Sequence, residues 1–166
     1  MKKATILLSI IMLAGSLCYG QKCKYVKNEI DEFTNENNKI TEAYLISLNT
    51  VSSNMYFINK GGKFSTAIFY ANGAVVEKLN IGLTDSLMIK LDDNSILKLP
   101  PVKPIIHNEG DSSIFPEYFL TKEQIAQLSK NKIVKVRFFF DGNALDYDIE
   151  IKKAEKIMAA VNCVLL

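Results

Sequence analysis

The chain has 166 residues, of which 20 are basic and 18 acidic, with one histidine, three cysteines and no tryptophan. Arg137 is its single arginine. The clustered positive charge and guanidinium forks that nucleic-acid binders use are therefore missing, and nucleic acid is not an expected partner.

Lys2 and Lys3 open the chain, and Ala4 to Leu17 is an uncharged, largely apolar run of 14 residues. Cys18-Tyr19-Gly20 then puts small residues at the outer positions of a cleavage site. Residues 1–20 are expected to be a signal peptide, cleaved after Gly20 so that Gln21 begins the mature chain. A spanning helix needs about 20 apolar residues, so an uncleaved anchor is disfavoured and no integral membrane segment is expected after cleavage. Lipidation at Cys18 is disfavoured by Leu17, where that processing wants Gly, Ala or Ser. Taking the first 20 of the 166 residues away leaves 146, enough for a single domain over 21–166. The leader holds two of the 20 basic and none of the 18 acidic residues, so the remainder carries 18 of each and no net charge.

The expected setting is periplasmic or secreted, hence oxidising. Cys23 and Cys163 are then the two remaining thiols, and parity points to a disulfide between them. Closing so long a loop would remove about 5 kcal/mol of denatured-state entropy in the ideal model. The alternative is two unpaired thiols, with Cys163 buried on a helix.

Further along, Lys24 to Phe33 reads as extended, and residues 34–39 as a polar turn. Ile40, Tyr44, Ile46 and Leu48 suggest a half-buried strand, residues 50–54 a polar break, and Met55 to Asn59 more extended chain. Lys60-Gly61-Gly62-Lys63 makes a hairpin turn, since glycine tolerates positive φ. The return strand carries Phe64, Thr66, Ile68 and Tyr70 on one face and Ala67 and Phe69 on the other, which predicts a central strand. Asn72-Gly73 gives a turn before an extended run over 74–81. Leu87, Ile89 and Leu91 form a strand, residues 92–95 turn, and Ile96 to Leu99 returns. Pro100-Pro101 ends that pairing. Residues 100–119 hold all four prolines and the histidine, and read as an irregular loop, with Ile105 and Ile106 as a possible short strand.

Thr121-Lys122-Glu123-Gln124 is a capping-box pattern opening a short helix with Ile125 and Leu128 inward, to about Asn131. Ile133 to Phe140 follows as a strand. Val134, Val136, Phe138 and Phe140 share one face, and Ile133, Lys135, Arg137 and Phe139 the other. Asp141-Gly142-Asn143 turns, and Leu145, Tyr147, Ile149 and Ile151 alternate as an amphipathic strand. From Lys152 the period becomes helical, with Ala154, Ile157, Met158, Val161 and Leu165 on one face. The expected fold is α+β: eight or nine strands, mainly antiparallel, one short internal helix, and a C-terminal amphipathic helix packed on the sheet.

Candidate chemistry is sparse. His107, Glu109 and Asp111 would share one side of an extended segment, but a zinc site needs further ligands and a calcium loop more carboxylates, so a hydrophilic interaction loop is expected and no metal or cofactor. Lys60 to Lys63 lacks the spacing of a phosphate loop. Asp31-Glu32 and Asp92-Asp93 cannot act as glycosidase pairs by themselves, because adjacent strand residues point to opposite faces. Phe139 sits on the Lys135/Arg137 face and is expected to be covered within the fold, or else to mark an interaction patch.

Gln21, Cys23-Lys24-Tyr25, Asp31-Glu32-Phe33-Thr34, Tyr118 with Thr121-x-x-Gln124, and the strand containing Arg137 give the chain a layout that resembles small exported proteins of Bacteroidetes. The resemblance implies export and carries no activity, cofactor or site residue. The expected function is non-enzymatic: an exported domain that binds a protein or envelope component, or supports an envelope assembly. One alternative is an inhibitor or ligand-binding protein using the 100–119 loop. Another is an unfamiliar envelope enzyme with His107 in its site.

Overall fold

Three tight turns set the register of most of the sheet structure. In a computed structural model describing residues 23–46, 52–71, 80–106, 113–140 and 142–166, Gly61 and Gly62 both have positive φ (57° and 81°). That geometry closes a two-residue hairpin between β4 (Ser52–Lys60) and β5 (Lys63–Ala71), with Lys60 opposite Lys63. Asn94, at φ 68°, lies in the four-residue loop between β6 (Leu87–Leu91) and β7 (Ile96–Leu99), where the Asp93 carboxylate accepts from the amide and hydroxyl of Ser95. Gly142, at φ 72°, turns β10 (Ile133–Phe140) into β11 (Asn143–Asp148).

The remaining strands are β1 (Tyr25–Ile30), β2 (Asn37–Thr41), β3 (Tyr44–Leu45), β8 (Ser113–Ile114) and β9 (Glu117–Leu120). All pairing is antiparallel, in two sheets. The larger has seven strands in the order β1-β2-β4-β5, with β8 and β9 beyond β5 and β3 beside β4. The smaller runs β11-β10-β6-β7. Past β7 the chain crosses between them. Pro101 pairs with Tyr118, and Val102 donates to the Glu117 carbonyl, so the segment that leaves the small sheet borders the large one. The prolines end one ladder and start another.

One core fills the space between the sheets. Met55, Phe57, Ile68 and Tyr70 from the large sheet meet Leu87, Ile89, Leu91, Val136 and Phe138 from the small one. Helix α1 (Lys122–Leu128) adds Ile125 and Leu128 and begins with the expected capping box between Thr121 and Gln124. Helix α2 (Ile151–Leu165) packs on both sheets, touching β2, β3 and β4 on one flank and β10 on the other. Its last carbonyls are met from the large sheet: Tyr25 donates to Cys163 O at 2.9 Å and Asn59 to Val164 O at 2.8 Å. Side chains thus satisfy acceptors that a helix end leaves open. Cys23 and Cys163 form a disulfide beside them. The fold is α+β, with the C-terminal helix on the sheet.

Several expectations need correction. Residues 37–39 belong to β2, and Ser52 to Asn54 to β4, although both stretches read as polar turns. Cross-strand pairing overrides their composition; Ser53 is fully buried. The break spans residues 31–36, so the expected turn is right over 34–36, and within it the Asp31 carboxylate accepts from the amides of Thr34 and Phe33. Those bonds hold Asp31 below the usual carboxylate pKa. Ile133 lies in the core rather than opposite Val136, because a bulge between Ile133 and Lys135 shifts the register and leaves Val134 as the extra residue. Strand β11 stops at Asp148, and Ile151 starts α2 and is exposed. The buried stripe of α2 is Ala154, Ile157, Ala160, Val161, Cys163 and Val164, not Met158 and Leu165, since a helix seated against two sheets buries a wider arc. Helix α1 ends at Leu128, where Ser129 caps it.

Two core phenols carry a testable cost. Among the described residues, the buried hydroxyls of Tyr70 and Tyr118 have no hydrogen-bond partner. Burial pushes both pKa values up, with Tyr118 and Tyr147 adding to the shift at Tyr70 and Asp85 at Tyr118. An unfolded tyrosine ionises near pH 10. The folded phenols ionise only above that, so stability is intact below about pH 10 and falls as pH rises beyond it. Urea midpoints are expected to be level from about pH 8 to 9.5 and to drop at higher pH, less steeply in Tyr70→Phe. At neutral pH that variant should match or exceed the parent, because it removes an unpaired buried hydroxyl.

Candidate interaction surface

The outer face of the large sheet carries the principal aromatic group at the surface. Alternation along β5 turns Ile68 and Tyr70 into the core and Ser65, Ala67 and Phe69 outward. Register then defines the rows. Tyr56 on β4 lies opposite Ala67, and Ala67 opposite Glu117 on β9; Ile58 lies opposite Ser65, and Ser65 opposite Phe119. Phe115 joins them where Pro116 separates β8 from β9, its carbonyl still accepting from the Ile68 amide. The Phe115 ring sits 5.5 Å from that of Tyr56 and 6.4 Å from that of Phe69, tilted against both. Such tilted pairs are favourable contacts.

Beneath these rings Ala67 is fully buried and Ser65 nearly so, while Phe115 and Phe119 remain 48% and 49% exposed. Phe115 and Phe119 thus leave half-covered apolar surface on this face. Glu117 stands on the same face and accepts from the Ser65 hydroxyl at 2.5 Å. Among the described residues Glu117 forms no ion pair. A carboxylate on the same face as these aromatic side chains suits a cation, which ring faces attract as well.

The small sheet has a different outer face. Arg137 makes a bidentate pair with Asp146, and Lys135 pairs with Asp148 at 3.1 Å. Each partner answers the other: the Asp146 pKa is lowered by Arg137, and that of Arg137 is raised by Asp146. Phe139 lies among these charges and is partly buried. Phe139, expected to be covered within the fold or else to mark an interaction patch, is half-buried, whereas the half-exposed Phe115 and Phe119 lie on the other sheet.

His107, Glu109 and Asp111 fall outside the described residues, as do the leader and the turn at Asn72-Gly73. The 100–119 stretch is not one loop. Its second half forms β8 and β9, and it supplies Phe115, Glu117 and Phe119 to the outer face of the large sheet. The carboxylate doublets serve turns: Asp31 and Asp93 as above, and Asp92 by accepting from the Lys132 amide. Among the described residues no three His, Cys, Asp or Glu side chains are grouped to hold a metal.

Together these features define a two-sheet α+β domain with one aromatic, acid-centred face. Comparison with models of protein families, with curated proteins and with solved structures finds no match to the chain. The chemistry of that face therefore carries the functional conclusion.

Proposed function

We propose that this is an exported, non-enzymatic binding domain that docks a partner protein on the outer face of its large sheet. The observation that carries the reading is Glu117, which has no ion-pair partner among the described residues, on the same face as half-exposed Phe115 and Phe119. Charge complementarity selects a partner that presents a lysine or arginine within an apolar contact surface. Export is supported by the apolar leader and by the Cys23–Cys163 disulfide, which persists in oxidising compartments. Among the described residues no helix is long and apolar enough to cross a membrane.

A photocrosslinking residue at position 119, placed in the full chain in its native cells, tests this. The expected product is a heterologous adduct in the envelope or medium fraction, joined to a peptide containing Lys or Arg. Glu117→Lys should cut its yield at least about tenfold, because it replaces attraction with repulsion at the contact. An adduct with a second copy of the chain, an adduct indifferent to Glu117→Lys, or no adduct would each overturn the docking reading. A cytosolic protein still beginning at Met1 would overturn export.

A further inference from the structure

A second site lies on the other side of the large sheet, where the β2–β3 corner parts from α2. Small side chains open it: Ala43 at the corner and Ala159 and Ala160 on the helix leave a cleft of about 420 Å³. That volume lies in the range of small-molecule pockets. Tyr44 supplies further apolar wall, and Lys24, Lys153 and Lys156 line it with Glu42.

The charges there do not balance. Lys24 is 3.5 Å from Glu42, and Lys153 is 3.4 Å from Glu150. Lys156 has no ion-pair partner among the described residues. One ammonium is left over. Helix stability does not account for it, since Lys152, Lys153 and Lys156 crowd the first two turns of α2, the end at which the macrodipole disfavours cations. Tyr44 adds a donor. Burial and then the charge of Glu42 raise its pKa, so the phenol keeps its proton.

We propose that this cleft binds an organic monocarboxylate with an apolar body. Its carboxylate pairs with Lys156, and its apolar part lies against Ala159, Ala160 and the Tyr44 ring. The site is independent of the aromatic face and stands whether or not that face docks a protein.

Decanoate below its micellar concentration is the probe, with decanol and decyltrimethylammonium as controls. Amide shifts in the purified protein should saturate with a Kd below about 1 mM and be confined to residues 42–45 and 153–163. Decanol should bind at least about fivefold more weakly, and the cation not at all, if the ammonium is decisive. Lys156→Glu is expected to weaken decanoate at least about tenfold, while Lys98→Glu on the small sheet leaves it unchanged. Both lysines are exposed, so both variants should melt with the parent. Equal affinity for decanol, indifference to Lys156→Glu, shifts centred elsewhere, or no saturation by 1 mM would each overturn the proposal.

Discussion

A protein carrying Cys23→Ser and Cys163→Ser is expected to fold and to melt far below its parent. The bridge spans 140 residues and ties the segment before β1 to the last turn of α2. In the chain-entropy model a loop of that length is worth about 5 kcal/mol, most of a small domain's margin. The midpoint should fall by roughly 10–20 °C. Folding itself should survive, because Ile157, Val161 and Val164 keep their core contacts and Tyr25 and Asn59 still reach the helix end. Either single substitution should match the double variant, since each removes the same bond. Parent and variant melting together under oxidising conditions would show that the crosslink contributes nothing.

Phe138→Ala should be comparably damaging by another route. Its ring packs edge-on against Tyr70 of the large sheet at 5.2 Å and against Tyr147 at 5.4 Å, with 2% of its surface exposed. Truncation removes the contact that joins the two sheets and opens a void that close-packed neighbours cannot refill, at about 3–5 kcal/mol. Phe139→Ala, one residue away on the charged face, should cost only about 1 kcal/mol. Urea midpoints of the two variants measure that contrast. Equal losses would mean that the faces of β10 are assigned the wrong way round.

Local chemistry made much of this fold legible. Gly61-Gly62, Asp92 to Ser95 and Asp141 to Asn143 dictate their turns within a few residues, and the strands on either side follow with correct bounds at Ile96–Leu99 and Ile133–Phe140. The Thr121–Gln124 cap is equally self-contained. Errors arise where partners far along the chain decide. The bulge at Val134 becomes visible only against β6, and the buried arc of α2 only against both sheets. The candidate surface suffered most. Phe69 could be assigned to an outer face from alternation alone, yet nothing local brings Glu117 to Ser65, 52 residues earlier, or sets Phe115 against Tyr56. A proline-rich composition around 100–119 concealed the strand that makes those contacts.

The position of α2 has a consequence for how the polypeptide matures. Helix α2 follows every described strand in the chain and supplies Ala154, Ile157, Val161 and Val164 to the core. Before α2 docks, the parts of β2, β3, β4 and β10 that it packs against lack their cover, and the packing of the two sheets stays incomplete. Docking of α2 is therefore expected to be the step that locks the two sheets together, and the Cys23–Cys163 bond then holds the helix to the segment before β1.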